Sequence, residues 1–80
     1  MDDREIVDTI DRLAGKEHDL ERRAATEPLA ETEHAEMKAI ELQLDQCWDL
    51  LRQRRARRQA GQDPDAAAAR PAGVVEGYQQ

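Results

Sequence analysis

The fold is decided by the stretch Met37-Lys-Ala-Ile-Glu-Leu-Gln-Leu-Asp-Gln-Cys-Trp-Asp-Leu-Leu51, near the middle of an 80-residue chain. Its seam positions, spaced alternately three and four residues apart, are Met37, Ile40, Leu44, Cys47 and Leu51. This spacing predicts an amphipathic helix that packs against another helix in the manner of a coiled coil. Good helix formers extend on both sides, so we predict one long helix over about residues 31–60.

A second seam precedes this helix in the chain. Its apolar positions are Ile6, Ile10, Leu13, Leu20 and Ala24. They predict a helix over about residues 3–25, and Pro28, which has no backbone N–H to donate, predicts a turn over about residues 26–30. Because so short a turn leaves the helices antiparallel, we predict an all-α fold, a coiled-coil-like two-helix hairpin occupying residues 1–61.

The two seams also predict a register. If Ala24 lies level with Glu33, apolar residues oppose one another along the hairpin, and Asp3 meets Arg54 at its open end. Only Glu17 interrupts the first seam.

The end of the second helix is marked by Gly61, which suits the left-handed position after a helix, and by Pro64 shortly beyond it. Residues 62–80 contain two prolines and two glycines and show no hydrophobic period. We therefore predict an extended or disordered tail over residues 62–80.

The composition limits what the chain can bury. Charged residues make up 38% of it, and it holds one Trp, one Tyr and no Phe. A chain this short and poor in aromatic residues cannot build a sizeable core around a deep pocket. We therefore predict a protein that is not an enzyme, with no catalytic residue and no cofactor.

Several apolar residues lie outside the two-helix seam and need a second partner. We predict a homodimer in which two hairpins form a four-helix bundle. The alternative is a monomer in which Val74, Val75 and Tyr78 fold back over the hairpin. Trp48 is the strongest interface candidate, because Trp is enriched among binding hot spots. The full set of interface candidates is Trp48, Leu50, Val7, Leu42 and Tyr78.

The charge is unevenly distributed. The chain has a net charge of −6, divided into −9 over residues 1–50, +5 over residues 51–60 and −2 over residues 61–80. The basic patch consists of Arg52, Arg54, Arg55, Arg57 and Arg58. The favoured interpretation is internal pairing with Asp2, Asp3, Glu5 and Asp8. The alternatives are contact with nucleic acid, which the acidic remainder would oppose, and contact with an acidic protein partner.

Metal binding is not predicted. The weak candidates are Glu31, His34 and His18, since Glu31 and His34 share one helix face. In the predicted register His18 lies too far along the hairpin to converge with them. Cys47 occupies a seam position and is interpreted as a small buried apolar residue.

The terminus and the cysteine content indicate a compartment. The first residues are acidic and no apolar segment follows them, and the longest apolar run is Ala66–Ala69. A single cysteine fits a reducing environment. We expect a soluble cytoplasmic protein that does not enter a membrane.

The run Leu44-Asp-Gln-Cys-Trp-Asp-Leu-Leu-Arg-Gln-Arg-Arg-Ala-Arg-Arg58 resembles a family of short actinobacterial proteins, catalogued as domain of unknown function 2630. The resemblance continues through the Glu17-His18 and Glu33-His34 pairs and the closing Val75-Glu-Gly-Tyr78. It implies no assigned activity and no catalytic residues. This chain departs from similar sequences at Ala30, where they tend to place a Ser or Thr.

These observations predict a protein-protein interaction or oligomerisation module, with an unidentified protein partner. The alternative is an RNA or nucleic-acid accessory protein of the ribosome or of transcription, docking through the basic patch.

Overall fold

The computed structural model describes residues 1–75. Two long helices, α1 over Asp3–Ala24 and α2 over Glu31–Gln59, form a hairpin, and the tail carries a 3-10 turn at Pro64–Ala66 and a one-turn helix, α3, at Ala72–Val75. These described residues contain no strand. The all-α hairpin predicted from the two seams is confirmed.

A reciprocal pair of carboxylates begins α1. The Glu5 backbone N–H donates to Asp2 Oδ1 at 2.8 Å, and the Asp2 backbone N–H donates to Glu5 Oε1 at 3.1 Å. This capping box satisfies backbone donors that a helix start otherwise leaves unpaired. The prediction that Asp2 and Glu5 pair with arginines was therefore wrong, because both carboxylates hold the start of their own helix.

The turn between the helices is closed by Glu33. Ala30 has no side-chain oxygen to cap α2, but its backbone N–H donates to Glu33 Oε1 at 2.9 Å. The other Glu33 oxygen forms a salt bridge with Arg23 near the end of α1. One carboxylate thus supplies half of a capping box and ties the two helices together.

Gly61 ends α2 in the left-handed region, with φ of +73°. The Gln62 backbone N–H donates to the Arg57 carbonyl at 2.7 Å, and the Gly61 N–H donates to the Arg58 carbonyl at 3.2 Å. These are the two bonds of a Schellman motif, and they confirm the predicted role of Gly61.

The core follows the two seams. The buried residues shared between the helices are Ile6, Ile10, Leu13, Leu20, Ile40 and Leu44. Met37, Cys47 and Leu51 are partly buried and pack against them. At the open end, Arg54 Nε binds Asp3 Oδ1, as the predicted register requires.

Residues 62–75 of the tail pack along α2, which the sequence did not predict. Gln53 Nε2 donates to the Ala68 carbonyl at 2.8 Å, Gln46 Nε2 donates to the Arg70 carbonyl at 3.2 Å, and Val75 is fully buried. Side-chain amides of α2 thus donate hydrogen bonds to backbone carbonyls of the tail. Such contacts follow no sequence period, so the sequence pattern does not predict them.

The predicted fold-back of the tail over the hairpin occurs only in part. Val75 is buried, but Val74 remains 44% exposed, and the tail leaves Val7 and Trp48 exposed. Tyr78, the third residue of that prediction, lies outside the described residues.

Candidate interaction surface

Arg54 joins three segments of the chain at the open end of the hairpin. Its side chain is buried on α2, its Nε donates to Asp3 of α1, and its Nη1 donates to Asp65 of the tail at 2.9 Å. Hydrogen bonds to Asp3 and then to Asp65 raise the pKa of Arg54 above its ordinary value. This arginine therefore couples closure of the hairpin to docking of the tail.

Arg58 shares Asp3 with Arg54. Its Nη2 lies 2.9 Å from Asp3 Oδ2, and its Nη1 donates to Asp3 Oδ1 at 3.2 Å. Hydrogen bonds from Arg58 and then Arg54 lower the pKa of the Asp3 carboxyl. The pairing of arginines with Asp3 is confirmed, whereas Asp8 makes no salt bridge within residues 1–75.

Replacing Asp3 with asparagine is expected to destabilise the protein at neutral pH but not in strong acid. The folded-state pKa of Asp3 lies below the ordinary value of 3.8, so near that pH the unfolded chain binds more protons. The stabilisation is fully present above about pH 5 and is lost as the pH falls through the lowered pKa. Thermal unfolding of wild type and Asp3→Asn across this range measures it. Asp8→Asn is the control, and an equal loss there would contradict the prediction.

A second arginine clamps the tail onto α2. Asp49 is fully buried, and Arg70 of the tail donates to both of its carboxylate oxygens, with 2.9 Å between Arg70 Nε and Asp49 Oδ2. Gln53 Nε2 also donates to Asp49 Oδ2 at 2.8 Å. Because a buried carboxylate is costly without such partners, this clamp specifies where the tail lies.

Trp48 remains 38% exposed although α1 and the tail both pack against its helix. It lines a shallow cavity of about 240 Å³ together with Leu51, Arg52 and Arg55. Helical spacing explains the grouping, because residues four and seven positions beyond Trp48 lie on its face.

Val7 of α1 occupies a position on the same side of the hairpin as Trp48. Val7 directly follows the seam residue Ile6, and Trp48 directly follows the seam residue Cys47. In the antiparallel register both are e positions, which border the same side of the seam. Val7 is 44% exposed. We refer to Val7, Glu41, Trp48, Arg52 and Arg55 as the Trp48 flank.

The other predicted interface residues lie elsewhere. Leu50 is half-buried, packs against the core, and borders a second cavity of about 180 Å³ on the opposite side of the seam, with Cys47 and Ala69. Leu42 is half-buried, and Tyr78 lies outside the described residues. The described candidates therefore do not form one surface, and Arg52 and Arg55, assigned from sequence to the basic patch, border Trp48 instead.

Carboxylates crowd the part of the hairpin nearer its turn. Burial raises the pKa of Glu17, and the neighbouring carboxylates Glu21, Glu41 and Asp45 raise it further. The surface beside Trp48 therefore has a cationic side at Arg55 and an anionic side at Glu41.

The weak metal candidates Glu31, His34 and His18 are all exposed. Throughout residues 1–75, no group of three or more His, Cys, Asp or Glu residues is placed to hold a metal ion. Burial raises the pKa of the half-buried Cys47 thiol, and Arg12 offsets this only in part. Cys47 is therefore a protonated thiol at neutral pH.

The described structure defines an all-α hairpin with a clamped tail. The chain belongs to the family described as "Protein of unknown function (DUF2630)", whose model matches residues 2–80. Uncharacterised proteins of Mycobacterium tuberculosis and Mycobacterium bovis are each 63% identical over 46 residues, which is 58% of this chain and 53% of theirs. The chain thus spans about half the length of the curated relatives it matches. No solved structure matches.

Neither the family nor these relatives carry an assigned activity. Among the helices of residues 1–75, none is long and apolar enough to cross a membrane.

Proposed function

We propose that this protein is a non-enzymatic protein-protein interaction module that docks its partner on the Trp48 flank. The observation that carries the proposal is the exposure of Trp48, the largest side chain of the protein, on a helix against which both α1 and the tail pack. Trp is enriched at binding hot spots because it offers a large, rigid contact area.

The chemistry of the flank specifies the partner surface. Trp48 and Val7 present apolar area, and Arg55 presents a guanidinium group at the rim of the cavity. A complementary surface therefore carries apolar side chains in its centre and a carboxylate at one end. The cavity beside Trp48 is lined by indole, aliphatic and guanidinium groups. These groups bind such a surface but exchange no proton at neutral pH, which supports a role without catalysis.

The nucleic-acid alternative is less well supported. Arg54 and Arg58 are both bound to Asp3, so two of the five arginines of the basic patch neutralise carboxylates of their own chain. Phosphate binding would have to displace these pairs or use the remaining arginines beside an acidic surface.

Capture from the native cytoplasm tests the proposal. Immobilised wild-type protein is expected to retain a specific protein. That protein is either a tagged copy of this chain added to the extract or another protein of the extract. Immobilised Trp48→Ala is expected not to retain it. Val74→Ala is the matched control, because Val74 is an exposed apolar residue of the tail. Its capture is expected to equal that of the wild type.

If wild type and Trp48→Ala capture the same proteins in equal amounts, the Trp48 flank is not the docking surface. If the retained material is nucleic acid that a nuclease releases, the nucleic-acid alternative replaces this proposal.

A further inference from the structure

We infer that the partner of the Trp48 flank is a second copy of this chain, packed antiparallel about a twofold axis that passes beside Trp48. This inference rests on the proposed docking role of that flank and names its occupant.

The charge pattern along the flank is self-complementary. Arg55 and Glu41 each lie seven residues from Trp48, on opposite sides of it along α2. Seven residues are about two helical turns, or roughly 10 Å, so both side chains share the face of Trp48. Both residues are exposed. An antiparallel copy therefore brings Arg55 level with the partner's Glu41, and Glu41 level with the partner's Arg55.

The next charged pair follows the same symmetry. Arg52 lies four residues after Trp48, and Asp45 lies three residues before it. Both residues also interact within their own chain. Their charges follow the same separation along α2, with cations on the C-terminal side of the indole and anions on its N-terminal side. A parallel copy would instead oppose like charges, which costs several kcal/mol in an interface.

Apolar groups occupy the centre of this arrangement. Trp48 would meet the partner's Trp48 near the axis, and Val7 of each copy would lie beside the pair. Offset or edge-to-face contact between two indoles adds to the area that they bury.

The size of the surface and the crowding of its acids support the same occupant. The molecule measures 50 Å by 24 Å by 18 Å, so one side of the hairpin is large enough for the roughly 800 Å² per partner that a stable interface needs. Burial raises the pKa of Glu17, and repulsion by the nearby carboxylates of Glu21, Glu41 and Asp45 raises it further. Guanidinium groups from a second copy would relieve that repulsion.

A charge exchange tests the arrangement. Wild type is expected to sediment as a dimer at micromolar concentration, and Trp48→Ala is expected to weaken association. Arg55→Glu and Glu41→Arg are each expected to raise the dimer Kd at least about tenfold, because each opposes like charges twice across the twofold axis. An equimolar mixture of the two variants is expected to associate again, since every opposed pair in the mixed dimer carries opposite charges. Both substitutions are at exposed positions, and far-UV circular dichroism verifies that the variants fold.

Each outcome decides the inference. A wild-type mass of one chain at all concentrations overturns it, as does a mixture that associates no better than its components. If the chain is a monomer but still captures another protein through Trp48, the second-copy inference fails and the proposed function stands. If neither association nor Trp48-dependent capture occurs, both fail.

Discussion

Replacing Ile6 with alanine is expected to lower the free energy of unfolding by about 3 kcal/mol, within the range for large-to-small substitutions in protein cores. Ile6 is fully buried among the seam residues near the open end of the hairpin. The substitution removes apolar contacts and leaves a cavity between the two helices, which cannot move together far enough to fill it. In a domain of this size, the melting temperature should fall by about 4–8 °C for each kcal/mol. Urea denaturation followed by far-UV circular dichroism measures the loss.

Val7→Ala is the matched control, because the two residues are neighbours on α1 and differ in burial. Val7 is 44% exposed, so its loss should be well below that of Ile6→Ala when both are measured on the monomer. Equal losses would contradict the placement of the core on the Ile6 side of the helix.

Arg70→Gln is expected to release the tail from α2 and to lower the free energy of unfolding by about 2 kcal/mol. Removing one member of a buried ion pair typically costs roughly 3–5 kcal/mol. The smaller value applies here because the Arg70 side chain is 41% exposed, while that of Asp49 is fully buried. The change removes the cationic partner of Asp49, and undocking of the tail lets water reach the carboxylate. Hydrogen exchange should therefore accelerate over residues 62–75 and on the side of α2 that they cover.

Two further variants separate this effect from a general loss of charge. Arg22→Gln removes a guanidinium from the exposed Arg22–Asp19 pair and should change stability by less than about 0.5 kcal/mol. Asp49→Leu combined with Arg70→Met removes both charges together and should recover much of the loss, because no buried carboxylate is left without its guanidinium. Tail exchange that is unchanged in Arg70→Gln would show that this clamp does not hold the tail.

Sequence periodicity was sufficient to predict the hairpin and its register. The seams of Ile6 to Leu20 and of Ile40 to Leu51 each follow from local helical spacing. The antiparallel alignment that sets Ala24 level with Glu33 opposes apolar residues along most of the hairpin, with Glu17 as the exception. The Asp3–Arg54 pair followed from that alignment, and the structure contains it. Gly61 was also predictable, because its left-handed conformation is a local requirement of the helix end.

The tail was not predictable in the same way. Asp49 and Arg70 are 21 residues apart, and no repeating pattern connects them. Asp49 lies on a helix face that is otherwise polar, so nothing in the local sequence indicates that it is buried. The same contacts determine which of the interface candidates stay exposed. They place the tail on a side of α2 that leaves Trp48 and Val7 uncovered.

The sequence by itself determined the two helices, their antiparallel register and the polarity of charge along α2, because these depend on helical spacing and on a short turn. Only the tertiary structure decided that Arg54 also binds Asp65 of the tail, that Arg70 clamps the tail onto Asp49, and that Arg55 borders the exposed Trp48. The physical reason is that long-range pairing of buried polar groups depends on three-dimensional proximity, which leaves no period in the chain.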